Sequence, residues 1–120
     1  MKPISNKRRR RLREVAAGRN AYREKFPRCQ WPGCLKTATE LHEIARGPAR
    51  QIAIGEICCF LHLCQKDHRL CDDYSIRPLA RQLAVKQIAD PDGYDLQRFN
   101  IIRGRAPNAI TQEEVTAWQT

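Results

Sequence analysis

The stretch Leu63-Cys64-Gln65-Lys66-Asp67-His68-Arg69-Leu70-Cys71-Asp72 decides how the middle of this chain is organised. Read as a helix, it sorts its own side chains. Residues 64, 67 and 71 are three and four positions apart and share one face, whereas His68 and Asp72, at i and i+4, share an adjacent one. Two upstream segments hold complementary groups: Leu41-His42-Glu43-Ile44, and Cys29-Gln30-Trp31-Pro32-Gly33-Cys34. Thiols, imidazoles and carboxylates gathered in this way point to bound metal. Their division between two helix faces points to two sites with different tasks.

The first site reads as structural zinc, closed and tetrahedral, with Cys29, Cys34 and Cys64 as ligands. Its fourth ligand is Cys71 or Asp67; the softer thiolate favours Cys71. Pro32-Gly33 supplies the tight turn that lets the first two thiolates converge. The second site takes one imidazole from a strand, His42, and an imidazole and a carboxylate from the helix, His68 and Asp72. That set suits Mg²⁺ or another divalent ion such as Mn²⁺ or Ni²⁺, with positions left open for water and a substrate oxygen.

Composition fits this reading. The chain has 120 residues, a length at which a hydrophobic core alone is barely sufficient and a structural metal would offset the deficit. Six cysteines without an apolar leader segment favour metal ligation over disulfides and predict an intracellular, cytoplasmic protein. No run approaches the roughly 20 apolar residues of a membrane span. The net charge of +9 is concentrated: residues 1–28 hold 11 of the 22 basic residues but 2 of the 13 acidic ones, and the remainder is neutral. The run Lys7-Arg8-Arg9-Arg10-Arg11 attracts a polyanion through counterion release, and its guanidinium bias suits phosphate. DNA is the expected partner.

Around the ligands the elements read as α+β. A basic helix over 6–25, weakened by Gly18, ends at Pro27. A strand covers 37–44, a loop with Arg46 and Arg50 covers 46–56, a second strand covers 57–63, and a helix follows from about 65 to 74. Pro78 opens a further helix with apolar positions at Leu79, Leu83, Val85 and Ile88. A short helix over 96–102 follows the Pro91-Asp92-Gly93 turn, and Thr111-Gln112-Glu113-Glu114 caps a last one running through Trp118, its expected anchor. Cys58, Cys59, Phe60 and His62 read as core, and Trp31 as a cover for the zinc turn. This divides the chain into a basic arm (1–28), a metal-bearing core (29–76) and a helical extension (77–120).

The ordered pattern Cys29-x4-Cys34, Leu41-His42-Glu43-Ile44, then Leu63-Cys64-x2-Asp67-His68-x3-Asp72 resembles the HNH endonucleases, particularly small zinc-stapled ones of the kind found in bacteriophages. The resemblance covers about residues 29–74. It implies a ββα-metal finger, two strands and a helix clasping one catalytic ion, with the structural zinc alongside. The implied activity is metal-dependent hydrolysis of DNA phosphodiester bonds, in the host cytoplasm if the chain is phage-borne. In that pattern His42 and Glu43 occupy the family's His-His or Asp-His pair, His68 is the helix metal ligand, Asp72 the last one, and Cys64 the zinc cysteine before the helix. The catalytic set is therefore His42, Glu43 and His68, with either His42 or Glu43 as the base that activates water. Three departures stand out: Glu43 where a histidine base is common, Cys59 near the position of the middle Asn, and Asp67 where a second zinc Cys or His is usual. The alternative is a non-catalytic zinc-finger module that binds nucleic acid through a degenerate nuclease site. The C-terminal helices would be the surface for any larger protein partner. Oligomeric state is not legible in the sequence.

Overall fold

The structure, a computed structural model, describes residues 5–104 and 109–120. Residues 1–4 of the basic arm, with Lys2, and residues 105–108 of the extension lie outside the described residues. The rest is mixed helix and sheet, an α+β arrangement, and among the described residues no helix is long and apolar enough to cross a membrane.

Helix α1 (Asn6–Lys25) begins at Ser5, whose hydroxyl accepts the Arg8 backbone N–H at 3.2 Å. Arg23 and Lys25 occupy its last turn, where cations suit the helix dipole. Its side chains are largely exposed and Tyr22 is its one buried residue, so Tyr22 is its main anchor, with Arg19 adding a bond to the Ile54 carbonyl at 3.2 Å and Arg11 one to the Gln51 carbonyl at 3.4 Å. The anchor is thorough: Tyr22 packs against Phe26 and Phe60, and its hydroxyl accepts a hydrogen bond from Lys86 Nζ at 2.9 Å.

The sheet has two antiparallel strands, β1 (Glu40–Glu43) and β2 (Phe60–Leu63), with Leu41 opposite His62 and His42 opposite Leu61. Side chains alternate between faces along a strand. Leu41 and Phe60 accordingly pack under α1 with Tyr22, and Leu61 and Leu63 enter the main core. Both strands are shorter than the sequence predicts. Residues 57–59 form a 3₁₀ turn instead of the start of a strand, and the predicted loop contains one helical turn, α2 (Arg50–Ala53). Helix α3 (Gln65–Cys71) follows β2 after a single residue, Cys64.

Three further helices close the core: α4 (Leu79–Ala89), α5 (Leu96–Arg103) and α6 (Gln112–Ala117). Leu83, Phe99, Ile102 and Val115 from these helices share one cluster with Ile44, Leu61 and Leu63. Thr111 caps α6 by accepting the Glu114 N–H at 3.2 Å. Two expected core positions are corrected. Ile88 is 65% exposed, and Trp118 is 49% exposed, because Val115, fully buried, anchors α6 in its place. In α4 the buried stripe runs Leu83, Gln82 and Lys86, so two polar side chains point inward.

Candidate metal centres

Cys29, Cys34, Cys64 and Asp67 each offer one donor atom, and the four atoms lie within 4.8 Å of one another. This group can hold a metal ion. Gly33, at φ +79°, provides the left-handed turn that brings Cys34 back toward Cys29. Cys64 is the N-cap of α3, and its sulfur accepts the Asp67 N–H at 3.5 Å. The Asp67 carboxylate lies 3.1 Å from Cys29 Sγ and 3.2 Å from Cys64 Sγ, and the sulfurs of Cys34 and Cys64 are 3.9 Å apart. All six cysteines are free thiols.

Cys71, the softer candidate for the fourth position, is not in this group. Seven residues along a helix correspond to a rise of about 10 Å, so Cys64 at the N-cap and Cys71 in the last turn cannot meet at one ion. Asp67, in the first turn, can. Cys71 is instead fully buried, with its sulfur 3.5 Å from Arg77 Nη1 as acceptor.

Arg77 is the outer support. It donates from Nη2 to Asp67 Oδ1 at 2.9 Å and from Nη1 to the Asp67 carbonyl at 3.2 Å. Its guanidinium lies 3.6 Å from the centre of the Trp31 ring, a cation–π contact that packs buried Trp31 against this outer support. Burial works against the Asp67 carboxylate, but hydrogen bonds from Cys29, Cys64 and Arg77 outweigh it and hold its pKa at about 2. Burial pushes the Cys29 thiol up to about 12, so a cation bound here would displace its proton.

The second group is His42, His68 and Asp72, again with one donor atom each within 4.8 Å. His42 Nδ1 and His68 Nε2 both lie 3.7 Å from Asp72 Oδ1, and the two rings meet edge to face at 5.2 Å. His42 is 1% exposed, and burial pushes its pKa down to about 4, so the imidazole is neutral near pH 7 and suited to donate a lone pair. Arg46 also reaches this group. It bonds Asp72 Oδ1 from Nη1 at 3.1 Å and the Asp72 carbonyl from Nη2, and its guanidinium lies over the Tyr74 ring. Tyr74 in turn donates to the Ile44 carbonyl at 2.6 Å, which ties the end of β1 to the segment after α3.

Glu43 is outside both groups. As the next residue along β1 it points to the opposite sheet face from His42, toward α1, where Arg19 Nη1 meets its Oε1 at 3.2 Å. Glu43 nevertheless lines the same open cleft, of about 860 Å³, as His42, His68 and Asp72. Arg19, Arg46, Arg50 and Arg103 line it as well, giving one mouth with imidazoles, carboxylates and four guanidiniums. His62 is buried, its Nδ1 2.6 Å from the Phe26 carbonyl, and Cys58, Cys59 and Phe60 are buried as well.

Supporting residues not singled out from sequence include Arg77, Arg103 and Gln82. Arg77 and Arg103 gave no local signal. Gln82 did, because a glutamine one residue before Leu83 and four before Lys86 interrupts what should be the apolar stripe of α4. Compared with models of known protein families, with curated proteins and with solved structures, the chain matches none.

Proposed function

We propose that this chain is a metal-dependent DNA endonuclease of the HNH type, with β1, β2 and α3 as its ββα-metal element. The observation that carries this reading is the convergence of His42, His68 and Asp72 on a cleft also lined by Glu43 and four arginines. In the thiol group, three sulfurs and one carboxylate match the donor preferences and four-coordination of structural zinc. Two imidazoles and a carboxylate fit Mn²⁺ or Ni²⁺ at least as well as Mg²⁺, since imidazole suits transition metals. Such an ion supplies Lewis-acid stabilisation of charge on the phosphate and leaving oxygens.

The chain's own groups divide the remaining work. His42, its Nδ1 turned toward Asp72, serves as a ligand. Glu43, outside the donor group but in the same cleft, serves as the base. It takes a proton from water as the water oxygen bonds phosphorus; the P–O bond to the leaving oxygen breaks, and solvent returns a proton to that oxygen. Arg19 fixes Glu43 from α1, while Arg50 and Arg103 flank the cleft where backbone phosphates would lie. The exposed arginines of α1 add affinity without reading sequence.

One contact favours the non-catalytic alternative: Arg46 already neutralises Asp72. Plasmid cleavage separates the two. Zinc-retaining protein given Mg²⁺, Mn²⁺ or Ni²⁺ should nick or cut supercoiled plasmid. His42→Ala and His68→Ala should each lose about 10²-fold or more while keeping zinc and DNA affinity. If wild-type protein cuts with none of these ions but still binds DNA, the nuclease reading fails and the binding module takes its place.

A further inference from the structure

Gln82 belongs to α4, outside the segment that carries both donor groups, yet it is fully buried and touches His42. Its amide nitrogen has two hydrogens, and both are committed: Nε2 donates to the Cys71 carbonyl at 2.8 Å and to the Arg77 carbonyl at 2.8 Å. A flipped amide would set its oxygen against those two carbonyl oxygens, so the orientation follows from the network. Oε1 therefore faces His42 Nε2, at 2.7 Å. An amide oxygen can only accept, so Nε2 must carry the proton of the neutral imidazole. The lone pair is left on Nδ1, the nitrogen that faces Asp72.

We propose that Gln82 is a positioning residue that locks His42 in the Nε2–H tautomer and aims its Nδ1 lone pair at the divalent-ion group. An imidazole ligand is usually oriented by an acceptor on its other nitrogen, and here a glutamine supplies it in place of a carboxylate or carbonyl. The bond also links the two candidate centres. The carbonyls that hold Gln82 belong to Cys71, at the end of α3, and to Arg77, whose side chain holds Asp67. His62 provides a built-in contrast. Its Nδ1 faces the Phe26 carbonyl, which also only accepts, so His62 must carry its proton on Nδ1. Two histidines on facing strands thus hold opposite tautomers.

The metal-orienting role rests on reading His42 as a ligand; the tautomer does not. The test is long-range ¹H–¹⁵N correlation on zinc-loaded, histidine-labelled protein at pH 7.5, with His42 signals assigned by their loss in His42→Ala. Wild type should show His42 protonated on Nε2 and His62 on Nδ1. Gln82→Met, which keeps the length but has no amide, should give His42 as a tautomer mixture. Its Ni²⁺ affinity, by calorimetric titration, should fall about 10–100-fold, as for loss of an outer-shell partner, with zinc content and His62 unchanged. A wild-type His42 protonated on Nδ1 overturns the proposal, and that result needs no variant to fold. So does Gln82→Met with one unchanged tautomer and wild-type Ni²⁺ affinity. If the tautomer and Ni²⁺ results hold while plasmid remains intact, the endonuclease reading falls and the role of Gln82 stands.

Discussion

Removing Asp67 should damage the protein twice, once through metal and once through Arg77. The carboxylate and guanidinium meet at 2.9 Å with both side chains only 8% exposed, so solvent screens the pair little. Deleting one member of such a buried pair costs about 3–5 kcal/mol, because the survivor is left charged and unpaired. Asp67→Ala strands Arg77, which keeps the Asp67 carbonyl, the Cys71 sulfur and the face of Trp31. Arg77→Met strands Asp67, which keeps its thiol neighbours Cys29 and Cys64, and it forgoes a cation–π contact worth up to about 2 kcal/mol when desolvated. On the ion pair alone, Asp67→Ala should therefore fall near the lower end of that range, and Arg77→Met higher within it because it also loses the Trp31 contact. Because the partners touch, the double variant should be milder than the sum by about 1–3 kcal/mol. Zinc affinity should drop about 10–100-fold in Arg77→Met, which loses only the outer partner, and further in Asp67→Ala. Urea denaturation of zinc-loaded protein gives the coupling, and competition against a chromophoric chelator gives the affinity. If Asp67→Ala holds zinc as tightly as wild type and the two destabilisations simply add, Asp67 is neither the fourth donor nor the partner of Arg77.

Three other outcomes follow from the same geometry. His42 has a folded pKa of about 4 against an ordinary 6.5, so the unfolded chain binds more protons between these values. Its contribution is full above pH 6.5 and is lost as pH falls toward 4, about 2 kcal/mol between pH 7.5 and pH 5 without added divalent ions. Urea melts of wild type and His42→Gln should show the variant with a flatter acid limb, and parallel limbs would disprove it. Glu43→Gln should abolish cleavage while leaving Ni²⁺ binding intact; weakened Ni²⁺ binding would make Glu43 a ligand instead. Removing residues 1–13 deletes seven Lys/Arg, and the slope of log affinity for DNA against log salt should flatten by roughly 0.9 per lost phosphate contact. An unchanged slope would leave the arm without a role in contact.

Sequence spacing was most informative where a helix fixed the geometry. The i, i+3 and i+4 relations within residues 64–72 separate the thiol-side face from the imidazole-side face, and the structure gathers donors along both. The end of α1 and the cap of α6 were legible because Pro27 and the Thr111 capping box are local signals that tertiary packing leaves alone. Softness misled at Cys71, since donor chemistry ranks ligands without asking how far along the axis they sit. Apolar content misled at Ile57–Cys59, where an apolar run reads equally well as a strand or as a tight turn, and Ile57 is exposed while Cys58 and Cys59 are buried. Arg77 and Gln82 act across the fold from 10 to 40 residues away, a distance at which no periodicity reports.

Helix α3 has seven residues, and its adjacent residues Asp67 and His68 fall in different donor groups. Neighbouring positions on a helix are about 100° apart in azimuth. The helix is therefore a single axle with two cams: any roll that draws Asp67 toward the sulfurs carries His68 out of line with His42. An insertion or deletion between Cys64 and Asp67 would put both out of phase together. Such a chain cannot drift by gradual reorientation, and each centre changes independently only by exchanging one donor atom for another.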